Sequence, residues 1–200
     1  MAQNKICEQR YIDLCCGIGG FRVAINNFQK VSQNYSFKCV LSADIKSDAI
    51  KTYNLNFKED LKKTDIYSLR PEDIPSFNLL CAGFPCQPFS QAGRHKGFKD
   101  SRGTMFSQVM RFVKTNVPKI VILENVQALL NHDKGKSFAK IKDELESEGY
   151  TIVYKVLKCS DYGIPQMRKR LFIVGFKNIE TNNIENFFDL SKYEKSTTLT

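Results

Sequence analysis

The chain has 200 residues, 42% of them hydrophobic with 15 Phe, which is enough for one well-buried domain and too little for a second complete one. No apolar run approaches the roughly 18 residues of a membrane span, and the polar start Met1-Ala2-Gln3-Asn4-Lys5 lacks the apolar core of a secretion signal, so no membrane partner is expected and the location is read as cytoplasmic. The net charge is +9, and the last 24 residues carry three Lys against four acids, so the positive charge resides in residues 1–176 and favours a polyanionic partner.

Seven cysteines (7, 15, 16, 39, 81, 86 and 159) form no Cys-x-x-Cys pair, and only two histidines are present, so a zinc or other metal site is not expected. Six of the cysteines read as reduced, packed small hydrophobes. The seventh, Cys86, stands apart in the order of elements that follows.

Tyr11-Ile12-Asp13-Leu14-Cys15-Cys16 is an apolar run with one acid, followed by Gly17-Ile18-Gly19-Gly20-Phe21-Arg22 and the helical spacing of Val23, Ala24, Ile25 and Phe28. This predicts strand, glycine turn and helix, with glycines letting backbone approach a ligand at a helix N-terminus. The pattern is not the dinucleotide fingerprint, because Arg22 takes the place of its third glycine. A second strand, Phe37 to Asp44, ends in an acid and leads into a helix carrying Ile50, Tyr53, Leu55 and Phe57. An acid in that place commonly takes ribose hydroxyls, and it also serves as an ordinary helix-start residue. Residues 61–75 are polar, and Thr64-Asp65-Ile66 is the one place there expected to be able to reach the same ligand.

Leu79-Leu80-Cys81-Ala82 is a buried-type strand that empties into Gly83-Phe84-Pro85-Cys86-Gln87-Pro88-Phe89-Ser90. Two prolines fix their own φ and bias their neighbours toward extended backbone, so the loop holds the Cys86 thiol stiffly past a strand end, where open α/β sheets place their chemistry. On this stretch alone, a proline turn with a bystander cysteine fits as well. A basic, glycine-bearing surface loop follows, whose Arg94, Lys96, Lys99 and Arg102 either grip phosphates or are simply solvated. Met105 to Asn116 has helical spacing, and Pro118 to Val126 is a buried-type strand delivering Glu124 and Asn125 at its end. A carboxylate closing an apolar run is uncommon without a task. Ser137 to Gly149 is a charged amphipathic helix. Thr151 to Lys158 alternates as a strand, and Gln166, Arg168 and Arg170 enter another, with both arginines on one face and Lys169 opposite. From Lys177 the sequence turns polar and is expected to be loosely ordered.

Taken in order, these pieces resemble the cytosine-5 DNA methyltransferases over roughly residues 10–176. The matching motifs are Asp13 with the glycine turn, Asp44, Asp65-Ile66, the Pro85-Cys86-Gln87 loop, Asp100-Ser101-Arg102-Gly103-Thr104, Glu124-Asn125-Val126 and Gln166-x-Arg168-x-Arg170. The resemblance implies an α/β, Rossmann-like fold of three layers around a mostly parallel sheet, with a catalytic domain over 1–176 and a polar tail over 177–200. It implies S-adenosylmethionine as methyl donor and double-stranded DNA with a flipped-out cytosine as partner. Cys86 is then the nucleophile toward cytosine C6, Glu124 the acid at the base, and Arg168 and Arg170 its anchors. The donor would be held by Asp13, Gly17, Ile18, Gly19, Gly20, Phe21, Asp44, Ile45, Asp65, Ile66, Phe84 and Pro85, and the substrate contacted by Gln87, Ser90, Asn125, Val126 and Gln166. Cys15 departs from the family, which usually has an aromatic residue there.

Family members also carry a target-recognition region and two last motifs that are not found here. The expectation is a part that works with a second subunit supplying them, or a shortened chain, or a donor-binding domain without turnover. A tRNA cytosine-5 methyltransferase of the same fold is a further alternative, and a cysteine hydrolase would need His95 as its partner.

Overall fold

A computed structural model describes residues 6–32, 34–85, 104–179, 184 and 186–189. These fall into two compact units: the described residues up to Phe84 with those of Arg102–Val121, and the described residues of Pro85–Ser101 and Ile122–Thr200. The Cys86 loop beyond Pro85, the basic loop after it and most of the tail lie outside the described residues.

The first unit is built on parallel strands. β1 (Cys7–Leu14) lies between β2 (Tyr35–Ala43) and β3 (Leu79–Ala82), pairing in parallel with each. Tyr11, Ile12, Asp13 and Leu14 are all buried, as is every residue of β3, the profile of strands covered on both faces. β1 begins four residues earlier than its apolar run, because Cys7, Glu8, Gln9 and Arg10 are held by register with Tyr35 to Lys38 rather than by burial. It also ends at Leu14, so Cys15 and Cys16 sit in the turn and not in the strand, and Cys7 is exposed rather than packed.

α1 (Gly20–Val31), α2 (Ser47–Phe57) and α3 (Met105–Asn116) complete this unit. α3 buries Phe106, Val109, Met110, Phe112 and Val113, each contributing roughly 1.5–3 kcal/mol on leaving water. α1 differs sharply, since none of its residues is buried and Val23, Phe28 and Val31 stand exposed. The Thr104 side chain caps α3 by accepting from the Ser107 N–H, and Val117 ends it at φ 47°. A β-branched residue in the left-handed region is strained, and Val117 is half exposed, so it has little packing to lose. Val117→Gly is therefore expected to raise stability by about 0.5–1 kcal/mol, read as a higher urea midpoint. A lower midpoint would contradict this.

The second unit takes up β4 (Ile120–Val126) after its first two residues, followed by α4 (Lys136–Ser147), β5 (Tyr150–Lys158) and β6 (Lys169–Lys177). Its strand order is β4-β6-β5, with β5 and β6 antiparallel, so this unit ends in a hairpin where the first unit's described pairs are parallel. This agrees with the expected α/β class. Phe138 of α4 packs edge-on against Tyr154 of β5. The tail is more structured than its composition suggests: Ile184 is buried, Phe187 packs edge-on against Phe176, and Lys155 donates to the Phe188 carbonyl. Among the described residues no helix is long and apolar enough to cross a membrane.

Candidate active site

Two groups of residues carry chemistry, one in each unit. In the first, everything gathers at the C-terminal ends of β1, β2 and β3. The Cys16 N–H donates to the Ala43 carbonyl at 3.1 Å, the Gly83 N–H to Leu14 at 3.2 Å, and the Thr64 N–H to Asp44 at 2.8 Å. These three bonds bring the glycine turn, the Asp44 strand end, the Asp65-Ile66 segment and Phe84 to one edge. Gly17 and Gly19 have φ of 56° and 92°, which a side chain would strain. Cys15 also adopts a left-handed φ of 57°, and burial pushes its thiol up to about 12.

Asp44 has a structural task. Its two carboxylate oxygens accept from the Gly17 and Lys46 N–H groups, each at 2.8 Å, which fixes the turn against the end of β2. Each oxygen keeps a further lone pair for a ligand. The Asp65 side chain accepts from the Tyr67 N–H at 3.0 Å, while Ile66 is core and Phe84 is buried against Phe106. Beside Asp44, Ile18 and Ile45 are 59% and 50% exposed, so apolar surface is offered where the backbone turns. A Cβ on Gly17 or Gly20 would meet nothing within 4 Å, and the first turn of α1 has no side-chain cap. Open space, uncapped N–H groups, exposed isoleucines and an acid make this edge able to take a ligand with apolar, hydroxyl and anionic parts.

Asp13 is fully buried, and neither of its oxygens has a hydrogen-bond partner among the described residues. Burial pushes its pKa up to about 7, drawn down by Arg22 and raised further by Asp44. The unfolded chain gives up this proton near 3.8, whereas the folded one keeps it to about 7. The native state is thus favoured at acid pH, and that contribution is lost as pH rises from about 4 through about 7. Asp13→Asn is expected to be more stable than the parent at pH 8 by on the order of a few kcal/mol and nearly equal to it at about pH 4. Urea unfolding at both pH values checks this, and an unchanged pH dependence in the variant would contradict it.

In the second unit, Glu124 Oε1 lies 2.7 Å from Arg170 Nε and 3.8 Å from an Arg168 terminal nitrogen. Strand alternation puts the two guanidiniums on one face of the β6 entry, and the carboxylate between them offsets their repulsion. All three are partly exposed, with side-chain exposures of 23% for Glu124, 24% for Arg170 and 45% for Arg168. They are shielded enough to hold geometry and open enough to meet a substrate. Asn125 does not join them. β4 alternates, so its side chain points to the opposite face, where it is buried and accepts from the Val126 N–H at 2.9 Å. Gln166 is exposed in the turn before β6, and Pro85 is exposed. Cys86, Gln87 and Ser90 lie outside the described residues.

Residues 9–200 match the C-5 cytosine-specific DNA methylase family. The chain belongs to that family. It is 42% identical over 184 residues to the type II methyltransferase M1.ScrFI of Lactococcus lactis subsp. cremoris, covering 92% of this chain and 46% of that one. It is 39% identical over 197 residues to the type II methyltransferase M.HhaI of Haemophilus parahaemolyticus, covering 96% and 57%. Among solved structures it is similar to the S. pombe Dnmt2 methyltransferase, with a TM-score of 0.72, 24% identity and coverage of 96% and 57%, a likeness of fold. The chain spans about half the length of the curated relatives it matches.

Arg22, which the sequence reading did not place at the site, organises the edge beside the glycine turn. It donates to the Tyr53 hydroxyl at 3.5 Å, pairs with Glu59 and lies 5.5 Å from the Phe57 ring centre, tying α1 to α2. Its place at the third-glycine position was the signal.

Proposed function

We propose that the chain is the donor-binding and catalytic part of an enzyme that transfers a methyl group from S-adenosylmethionine to C5 of cytosine in duplex DNA, as one component of a type II modification system. The observation that carries this reading is the convergence of Arg170 and Arg168 on Glu124. An acid positioned by two cations suits a planar base that must be held at one edge while charge develops on it.

S-adenosylmethionine, when bound, supplies a methyl group on a positively charged sulfur. Gly17, Ile18, Gly19, Gly20 and Phe21 would face its amino-acid end. Asp44 would accept from the ribose, and Ile45, Asp65, Ile66, Phe84 and Pro85 would surround the base, with the unpartnered Asp13 carboxylate beneath the turn complementing positive charge. On the substrate, the Cys86 thiolate adds to C6, the C5–C6 π pair moves between C4 and C5, and the C4–N3 π pair moves onto N3. Glu124 holds a proton at N3, while Arg170 and Arg168 hold the O2 edge and nearby phosphate. Once C5 carries the methyl group, its proton passes to solvent, the sulfur leaves C6 as the Cys86 thiolate and the N3 proton returns to Glu124, which restores the aromatic ring. Gln87, Ser90, Asn125, Val126 and Gln166 are read as the substrate-side surroundings.

Coverage of about half the relatives' length supports a second reading, in which this chain binds the donor and turns over only with a polypeptide carrying the target-recognition region. Incubation with labelled donor and duplex DNA, alone and with such a polypeptide, followed by nucleoside analysis, tests both. The proposal expects 5-methylcytosine as the labelled product. Donor binding without labelled DNA in either arm would overturn it.

A further inference from the structure

The turn between β5 and β6 presents features that the base-holding role does not use. Lys158 and Lys169 stand directly opposite one another in the antiparallel register, a placement that costs stability for like charges. Lys158 has a 3.8 Å contact with Asp161, and Lys169 is exposed with no ion pair among the described residues. Between them the chain forms a closed turn. The Cys159 N–H donates to the Arg168 carbonyl at 2.9 Å, and the Tyr162 and Ile164 N–H groups donate to the Cys159 carbonyl at 3.1 and 3.2 Å. With its shape fixed by its own backbone, the turn nevertheless leaves Ile164 53% and Met167 64% exposed, on either side of Pro165 and Gln166.

We propose that this turn is a contact for duplex nucleic acid, Lys158 and Lys169 meeting phosphates and Ile164 and Met167 lying against the sugars and groove between them. The inference rests on the DNA substrate proposed above and names the surface that carries it. Repeated negative charge offsets the repulsion of the lysine pair, which a neutral partner would leave in place. Isolated apolar side chains on a rigid basic turn suit a groove wall, where Ile, Met and Pro act as wedges, and they offer too little continuous apolar surface to seat a protein helix. The contact is independent of sequence, because neither lysine nor an apolar wedge reads base edges on its own.

The test is fluorescence anisotropy of the full chain on a short labelled DNA duplex across a salt series. Lys158→Gln/Lys169→Gln is expected to weaken binding several-fold and to flatten the salt slope by about 0.9 for each lost phosphate contact. Arg at both positions should restore the slope. Ile164→Ser/Met167→Ser should weaken binding with the slope intact, and donor binding should be unchanged in every variant. A lysine variant with the parental slope would overturn the inference while leaving the proposed activity standing if labelled methyl still reaches DNA. Failure of the parent chain to bind duplex at low salt would also overturn it. So would a serine variant that loses only its capture of the complementing polypeptide, which would make the turn a protein surface.

Discussion

Replacing Glu124 with Gln is expected to lower methyl transfer by about a hundred- to a thousandfold, in the range for removal of one group that stabilises developing charge. The amide keeps the shape and one acceptor, so Arg170 retains a partner, but it cannot carry a proton to the ring nitrogen. Glu124→Ala is expected to be worse in a second way. It removes the acceptor 2.7 Å from Arg170 and leaves two guanidiniums facing each other. Because all three side chains are partly solvated, the stability cost should be only about 1–2 kcal/mol, well short of unfolding. Donor affinity should be unchanged in both variants, since every proposed donor-side residue except Pro85 belongs to the other unit. Activity within a fewfold of the parent in Glu124→Gln would contradict the proton-holding role, and lost donor affinity would show that the substitution acts through the fold.

Gly19→Ala is expected to abolish donor binding and cost about 2–4 kcal/mol of stability. Two effects add. Gly19 sits at φ 92°, where a side chain is strained, and a Cβ there would overlap the Phe57 ring, with Cζ at 2.7 Å and Tyr53 Cδ2 at 3.1 Å. Phe57 has little room to yield, because it packs on Tyr53 at 4.6 Å between ring centres and lies beside the Arg22 guanidinium. Gly20→Ala is the control, as its Cβ would enter open space and its φ is not left-handed. It should leave stability within about 0.5 kcal/mol and affect donor binding alone. Calorimetric titration with donor and urea unfolding separate the two, and equal stability of Gly19→Ala and the parent would contradict the packing argument.

Elements whose identity depends on local pattern were legible in the residues. Leu79 to Ala82 is bounded by polar Asn78 and a glycine, and Met105 to Asn116 runs from a Thr cap to a proline, so β3 and α3 begin and end as read. What depends on distant partners was not. The start of β1 at Cys7 is set by β2, and the apolar side of α1 looks like a core face in sequence although it buries none of its residues. The dual use of Asp44, as anchor of the turn and candidate ligand acceptor, needs the Gly17 N–H to arrive from 27 residues away. Adjacency in sequence is not adjacency in space at Asn125, where strand alternation turns the side chain away from Glu124. It informed at Arg168 and Arg170, whose spacing of two is what allows both to reach one carboxylate.

In the proposed function Cys86 forms a covalent bond to cytosine, and Glu124 and the two arginines serve that bond. The most direct measurement uses duplex DNA carrying 5-fluorocytosine, whose C5 substituent cannot leave as a proton, so the sulfur stays attached after methyl transfer. With donor present, and with a polypeptide carrying the rest of the family's length supplied, a denaturant-stable protein–DNA adduct is expected that is lost in Cys86→Ser and strongly reduced in Glu124→Gln. No adduct under any combination, or an adduct that survives Cys86→Ser, would contradict it.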